Sequence, residues 1–170
     1  MASLDRLFVD CSVHKLRELM DRIDVCLSQL SQEQIWARGS ENENAIGNLV
    51  LHLTGNVRQW IISGVGGQPD TRDRPAEFAA RNGSTEELKA HLRQTGEDAA
   101  AVIEGLTPDR LATRLTIQGY DVSGLDAVYH VVEHFSMHTG QIIFATKMLT
   151  GADLGFYRHL SKAEPRGAGR

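Results

Sequence analysis

Apolar residues return at three- and four-residue steps along four long stretches of this chain, a rhythm that specifies amphipathic helices. The first stretch carries Leu4, Leu7, Phe8, Cys11, Leu16, Leu19, Ile23, Cys26, Leu27 and Leu30, and predicts a helix to about Ser31. The second, residues 44–63, sets Ile46, Leu49, Val50, Leu53, Val57, Trp60 and Ile61 on one side and stops at Gly64, Gly66 and Gly67. The third opens at Ser84, with Glu87 at capping-box spacing, and runs through Leu88, Leu92, Ala99, Val102 and Ile103 to Leu106. Thr107 and Pro108 then read as the cap and first residue of a further short turn of helix. The fourth begins after Ser123 and continues through Tyr129, Val132, Phe135, Ile142, Ile143 and Met148 to Gly151. Helices of this kind around one apolar core predict an all-α fold, an antiparallel four-helix bundle.

Two connections stand out. Residues 68–83 are polar, contain Pro69 and Pro75, and form a loop of a length that is more often functional or mobile than incidental. Residues 114–122 alternate apolar and polar around Gly119, which predicts a short hairpin or irregular excursion before the last helix. At 170 residues the chain fits one domain, expected over 1–160 with a flexible tail at 161–170.

Charge excludes some functions. The net charge is -4 and the basic residues are scattered, whereas a nucleic-acid surface needs Lys and Arg clustered on one face. Nothing approaches the roughly 20 apolar residues that cross a bilayer, and the N-terminus lacks the apolar run of a signal peptide. A cytoplasmic location without membrane partners is the expectation. Cys11 and Cys26 sit 15 residues apart on one predicted helix, roughly 22 Å along its axis, too far to bridge within it. Both are expected to be buried free thiols, which suits a reducing compartment.

The chemistry lies in the histidines. Three of the seven form His130-x3-His134-x3-His138 on the fourth helix. Residues four apart stand one turn above each other, so His134 and His138 can grip one ion between them. The helix drifts about 40° per such step, so His130 and His138 diverge by about 80° and cannot both join His134 on a single ion. His130 is expected in a supporting or core role. The third ligand must come from another helix. Asn48, His52, Asn56 and Gln59 draw a polar line along the second helix, and His134, His138 and Gln141 draw another along the fourth. Polar groups facing a bundle interior are costly unless satisfied, and a bound cation with its waters satisfies several together. The simplest arrangement sets the two lines opposite each other, with His52 completing a three-histidine site. Hydrogen-bonded core histidines are the competing reading of the same residues. Exposed or hydrogen-bonded core positions are expected for His14, His91 and His159, core packing for Trp60, and either a surface ion pair or a pocket position for Arg58. Glu133 points about 100° away from His134 and is not expected to act as a base.

The segment HVVEHFSMHTGQI beginning at His130 closely resembles the C-terminal motif of the DinB/YfiT-like metalloenzymes. The segment NAIGNLVLHLTGNVRQW beginning at Asn44 resembles their second-helix motif. With the GFYRHL ending at Leu160, the match resembles most a DinB-like subgroup described as a domain of unknown function. The resemblance covers nearly the whole chain. It implies a four-helix bundle, frequent dimers, and a nickel or zinc ion held by one histidine of the second helix and two of the last, which fall on His52, His134 and His138. Many members carry His-Arg-Gly-Gln where this chain has His138-Thr139-Gly140-Gln141, so any role of that arginine is missing here.

An open three-histidine site polarises a substrate or lowers the pKa of a bound water or thiol. Relatives that use low-molecular-weight thiols such as bacillithiol or mycothiol make a thiol S-transferase the leading expectation, with a small-molecule substrate and a homodimer. A metal-dependent hydrolase, or a bundle that binds metal without turnover, are the alternatives. Gln141, Asn48, Asn56 and His130 are the candidates to line or support the pocket.

Overall fold

A computed structural model describes residues 2–158 and 160. Four long helical stretches build it: α1 (Leu4–Ser28), α3 (Ile46–Val57) with a π-helical continuation over Arg58–Val65, α5 (Thr85–Glu104) and α7 (Gly124–Thr150). Three short helices, α2 (Gln32–Trp36), α4 (Arg74–Ala79) and α6 (Pro108–Ala112), sit in the connections. A hairpin of β1 (Arg114–Ile117) and β2 (Tyr120–Ser123) precedes α7, paired from Arg114 with Ser123 to Ile117 with Tyr120. The expected four-helix bundle with its excursion is therefore present.

Polar contacts fix the direction of each helix. Arg17 of α1 meets Glu97 and Glu104 of α5, while Lys89 at the start of α5 reaches Ser28 at the end of α1. These two run antiparallel, and so do α3 and α7, where His52 faces His134 and Trp60 faces His130. By contrast α1 and α7 run parallel, with Leu4 near Leu125 and Cys26 near Thr146. Likewise α3 and α5 run parallel, with Leu51 near Leu88 and Ile62 near Val102. The chain thus goes up, down, down, up. Two consecutive helices pointing the same way need a connection that travels back along the bundle, about 30 Å for residues 46–65. The polar segment after Gly67 makes that return, and α4 lies within it.

Local signals account for most element ends. Ser84 accepts from the Glu87 amide while the Glu87 carboxylate accepts from Ser84, as the spacing predicts. Thr107 caps α6 and Gly151 ends α7 at φ 65°. Two expectations need revision. The first helix stops at Ser28, because Ser31 starts a separate helix with its own capping box through Gln34. The second is α-helical only to Val57, beyond which its turns widen, with the Gly66 amide donating to the carbonyl of Ile61 five residues back. The core gathers Leu16, Ile23, Leu27, Leu53, Ile61, Ile103, Phe135 and Ile142 from all four long helices.

Cys26 is buried as expected, whereas Cys11 is exposed. Val9, Val13, Leu16 and Leu27 define the buried side of α1, and Cys11 stands about 200° from both Val9 and Val13. His159 and the tail at 161–170 lie outside the described residues.

Candidate metal centre

The antiparallel contact of α3 with α7 sets His52 against the His134–His138 pair. His52 Nε2 lies 3.2 Å from His134 Nε2, and the His52 and His138 ring centroids are 5.2 Å apart. One nitrogen from each ring falls within 4.8 Å of the other two. His52 is buried, and His134 and His138 are half-buried. Among the described residues no carboxylate or thiol joins this group.

Neighbours orient two of the rings. His52 Nδ1 lies 3.1 Å from Glu77 Oε2, and His138 Nδ1 lies 2.7 Å from Gln141 Oε1. Each oxygen can accept from the Nδ1 it faces, and a proton held there would keep that ring's Nε2 lone pair free for an ion; Arg72 Nη2 lies equally close to His52 Nδ1, at 3.1 Å. Gln141 thus stands one turn after His138 and meets its ring. The third ring differs: His134 Nδ1 is buried and has no partner among the described residues.

Burial, reinforced by the nearby His138 and His52, pushes the His134 imidazole down to about 3. Burial also lowers His138, although Gln141 works against the shift. Both rings are thus neutral at ordinary pH, the form that binds a metal. Three imidazole nitrogens suit a divalent cation of the zinc or nickel kind, and the short separations leave the donor set compatible with one ion. Three donors also leave coordination positions for water or substrate.

A buried ion pair backs His52. Arg72 donates from Nε to Glu77 Oε1 at 2.7 Å and from Nη2 to Glu77 Oε2 at 2.8 Å, with 2% of its side chain exposed. Arg72 Nη1 also donates to Gln59 Oε1 at 2.9 Å, which fixes the crossing segment to the π-helical stretch. Burial alone would raise the Glu77 carboxyl, but hydrogen bonds from Arg72 and His52 outweigh it and hold the group below the usual carboxylate range. Asn48 secures the same segment elsewhere: its Nδ2 donates to the carbonyls of Glu77 and Ala80, and its Oδ1 accepts from Arg38. Asn48 thus ties α3 to α4. Neither Arg72 nor Glu77 was legible as a site residue. The only sequence signal there is Asp73 with Pro75, which starts α4 through a cap on the Ala76 amide.

The remaining candidates separate clearly. His130 packs on Trp60 at 4.0 Å between centroids and stacks on His134 at 5.5 Å, outside the three-ring group, as its direction along the helix requires. Asn56 is buried, and its Oδ1 has no partner among the described residues. Trp60 is in the core, and His14 and His91 are exposed, as expected; Glu133 is exposed too. Arg58 makes no ion pair among the described residues and instead donates to Thr71. Thr139 is buried and its hydroxyl bonds back to the Phe135 carbonyl, so this position faces the core rather than a substrate.

Comparison with known proteins agrees with this architecture. A conserved protein from Enterococcus faecalis superimposes with a TM-score of 0.72 at 14% identity, over 84% of this chain and 97% of its own. A DinB-like protein, YjoA of Bacillus subtilis, does so with a TM-score of 0.66 at 18% identity, over 86% of this chain and 96% of its own. At such identities the likeness shows the fold. No protein with a curated description matches the chain. The pattern of a family described as a protein of unknown function, DUF1572, matches residues 3–164, and the chain belongs to that family, with a DinB-like fold.

Proposed function

We propose that this protein is a divalent-metal-dependent enzyme that joins a low-molecular-weight thiol to a small electrophile at His52, His134 and His138. The observation that carries this reading is the convergence of three imidazoles without a fourth His, Cys, Asp or Glu in the group among the described residues, the donor pattern of catalytic rather than structural sites. A bound divalent cation would draw the pKa of a thiol or water toward neutrality. His52 and His138 offer Nε2 because Glu77 and Gln141 hold their Nδ1 protons, and Phe78 packs on His52 at 4.9 Å between centroids, walling off one side of the ring. In the transfer a sulfur–carbon bond forms, the bond from carbon to the leaving group breaks, and the thiol proton departs with the leaving group.

Metal analysis of gently purified protein tests the site. Wild type should carry close to one divalent ion per chain, and His52→Ala and His138→Ala should lose it. Equal metal content in all three would remove the site. A panel of low-molecular-weight thiols with a generic electrophile then tests the reaction: a metal-dependent thioether adduct supports transfer. Metal-dependent hydrolysis without an adduct would replace that reading with a hydrolase. Neither activity, with metal retained, would leave a binding protein.

The same reading includes a homodimer. Leu125, Tyr129, Met137, Phe144 and Met148 are all exposed and share one side of α7, within an arc of about 140°. A second copy is the economical cover for such a stripe. Light scattering should return twice the chain mass, and Phe144→Glu should halve it.

A further inference from the structure

We propose that Glu77, held by Arg72, is a positioning residue that fixes the His52 proton on Nδ1 and thereby sets the metal affinity of the site. This inference rests on the metal-site reading above. His134 and His138 belong to one helix, so the site closes only if His52 presents Nε2 as an acceptor of the ion. A neutral imidazole has two tautomers, and one of them would aim an N–H at His134, 3.2 Å away, where the ion must sit.

Two groups compete for His52 Nδ1. Glu77 Oε2 and Arg72 Nη2 each lie 3.1 Å from it. An arginine donating there would force the unproductive tautomer. The rest of the geometry decides against it. Arg72 places Nε and one Nη2 hydrogen on the two Glu77 oxygens at 2.7 and 2.8 Å and Nη1 on Gln59 at 2.9 Å, so only the second Nη2 hydrogen is left to turn toward Nδ1. A carboxylate oxygen, full in charge and buried, accepts from Nδ1–H, whereas a nitrogen lone pair at that distance would repel it. Arg72 keeps Glu77 ionised and oriented, and Glu77 transmits that charge to the far nitrogen of the ring, raising its basicity toward an ion. Both residues come from the segment that returns along the bundle between α3 and α5, so this segment contributes to the site without supplying a ligand.

The test combines a spectrum with a titration. Nitrogen-15 shifts of histidines in metal-free wild type should show His52 protonated at Nδ1. Competition with a chelator for zinc should then show Glu77→Gln binding about 10- to 100-fold more weakly than wild type, the usual effect of losing such a partner. Because this change strands Arg72, the Arg72→Met/Glu77→Gln double variant is measured beside it, and it should bind as weakly while staying folded. A His52 proton on Nε2 in wild type, or unchanged affinity in the folded double variant, overturns the inference and leaves the metal site standing. A wild-type protein that binds no divalent ion overturns both.

Discussion

Glu77 reaches His52 because residue 55 has no side chain. A Cβ on Gly55 would stand 1.9 Å from Glu77 Oε1, 2.8 Å from its Cδ and 3.0 Å from Arg72 Nε. Gly55 lies one helical turn after His52, so a missing side chain on α3 makes the space in which the ion pair backs the ring. Alanine is the better helix former by about 1 kcal/mol, yet here its methyl must push the carboxylate away from Nδ1. Gly55→Ala should therefore keep a folded bundle while zinc affinity falls roughly tenfold, in the range seen when a ligand loses its orienting partner. Chelator competition beside circular dichroism reads both quantities. Undiminished affinity would mean that the carboxylate placement is irrelevant to the ion.

What could be read in advance follows the range of each interaction. The capping pair Ser84–Glu87 acts over three residues, so spacing alone exposes it. His134 and His138 share one turn for the same reason. His52 needed a second step, the matching of two polar lines, and the fold places it there. Arg72 and Glu77 were hidden because their partner lies 20 and 25 residues away, and because α4, six residues long, has too few turns to show a periodicity. The widened turns after Val57 were equally hidden, since Arg58–Val65 has the same apolar spacing as an α-helix and five-residue hydrogen bonds such as Gly66–Ile61 distinguish them. Cys11 misled because nearby Leu4 and Leu7 are apolar yet exposed, which blurs the boundary of the buried side.

Phe135 neighbours His134 in sequence and is 1% exposed, among the largest side chains sealed in the core. Its ring fills space that the bundle cannot collapse into without moving α7. Phe135→Ala should cost about 3–5 kcal/mol in stability. Urea unfolding gives the value directly, and a loss below about 1 kcal/mol would show that the helices repack freely there.

The two thiols should differ sharply. Cys11 is exposed and Cys26 is buried, with burial raising the Cys26 pKa from its ordinary value despite a hydrogen bond to Thr146. Titration with a thiol reagent near neutral pH should count one fast cysteine per native chain and two after denaturation. A thiol whose folded pKa is raised favours the native state below its unfolded pKa, and that contribution is lost as pH climbs through the folded value. Stability should accordingly fall above about pH 9 in wild type and fall less in Cys26→Ala. A single fast phase of two thiols would contradict the packing of α1 on α7.

The Arg72–Glu77 pair also bears on stability, separately from any ion. Both side chains are almost fully withdrawn from water, 2% and 9% exposed, and they belong to the return segment rather than to a long helix. Removing one member leaves the other charged and stranded, which typically costs about 3–5 kcal/mol, whereas replacing both with apolar or neutral groups of similar size is often close to neutral. Arg72→Met alone should thus be the most destabilised variant. Glu77→Gln alone should follow it, and the double variant should recover most of the loss in metal-free protein. Recovery of stability without recovery of zinc affinity would separate the two duties of the pair, holding the segment down and setting the proton on His52. Additive losses in the double variant would instead mean that the two side chains act independently, contrary to the paired hydrogen bonds between them.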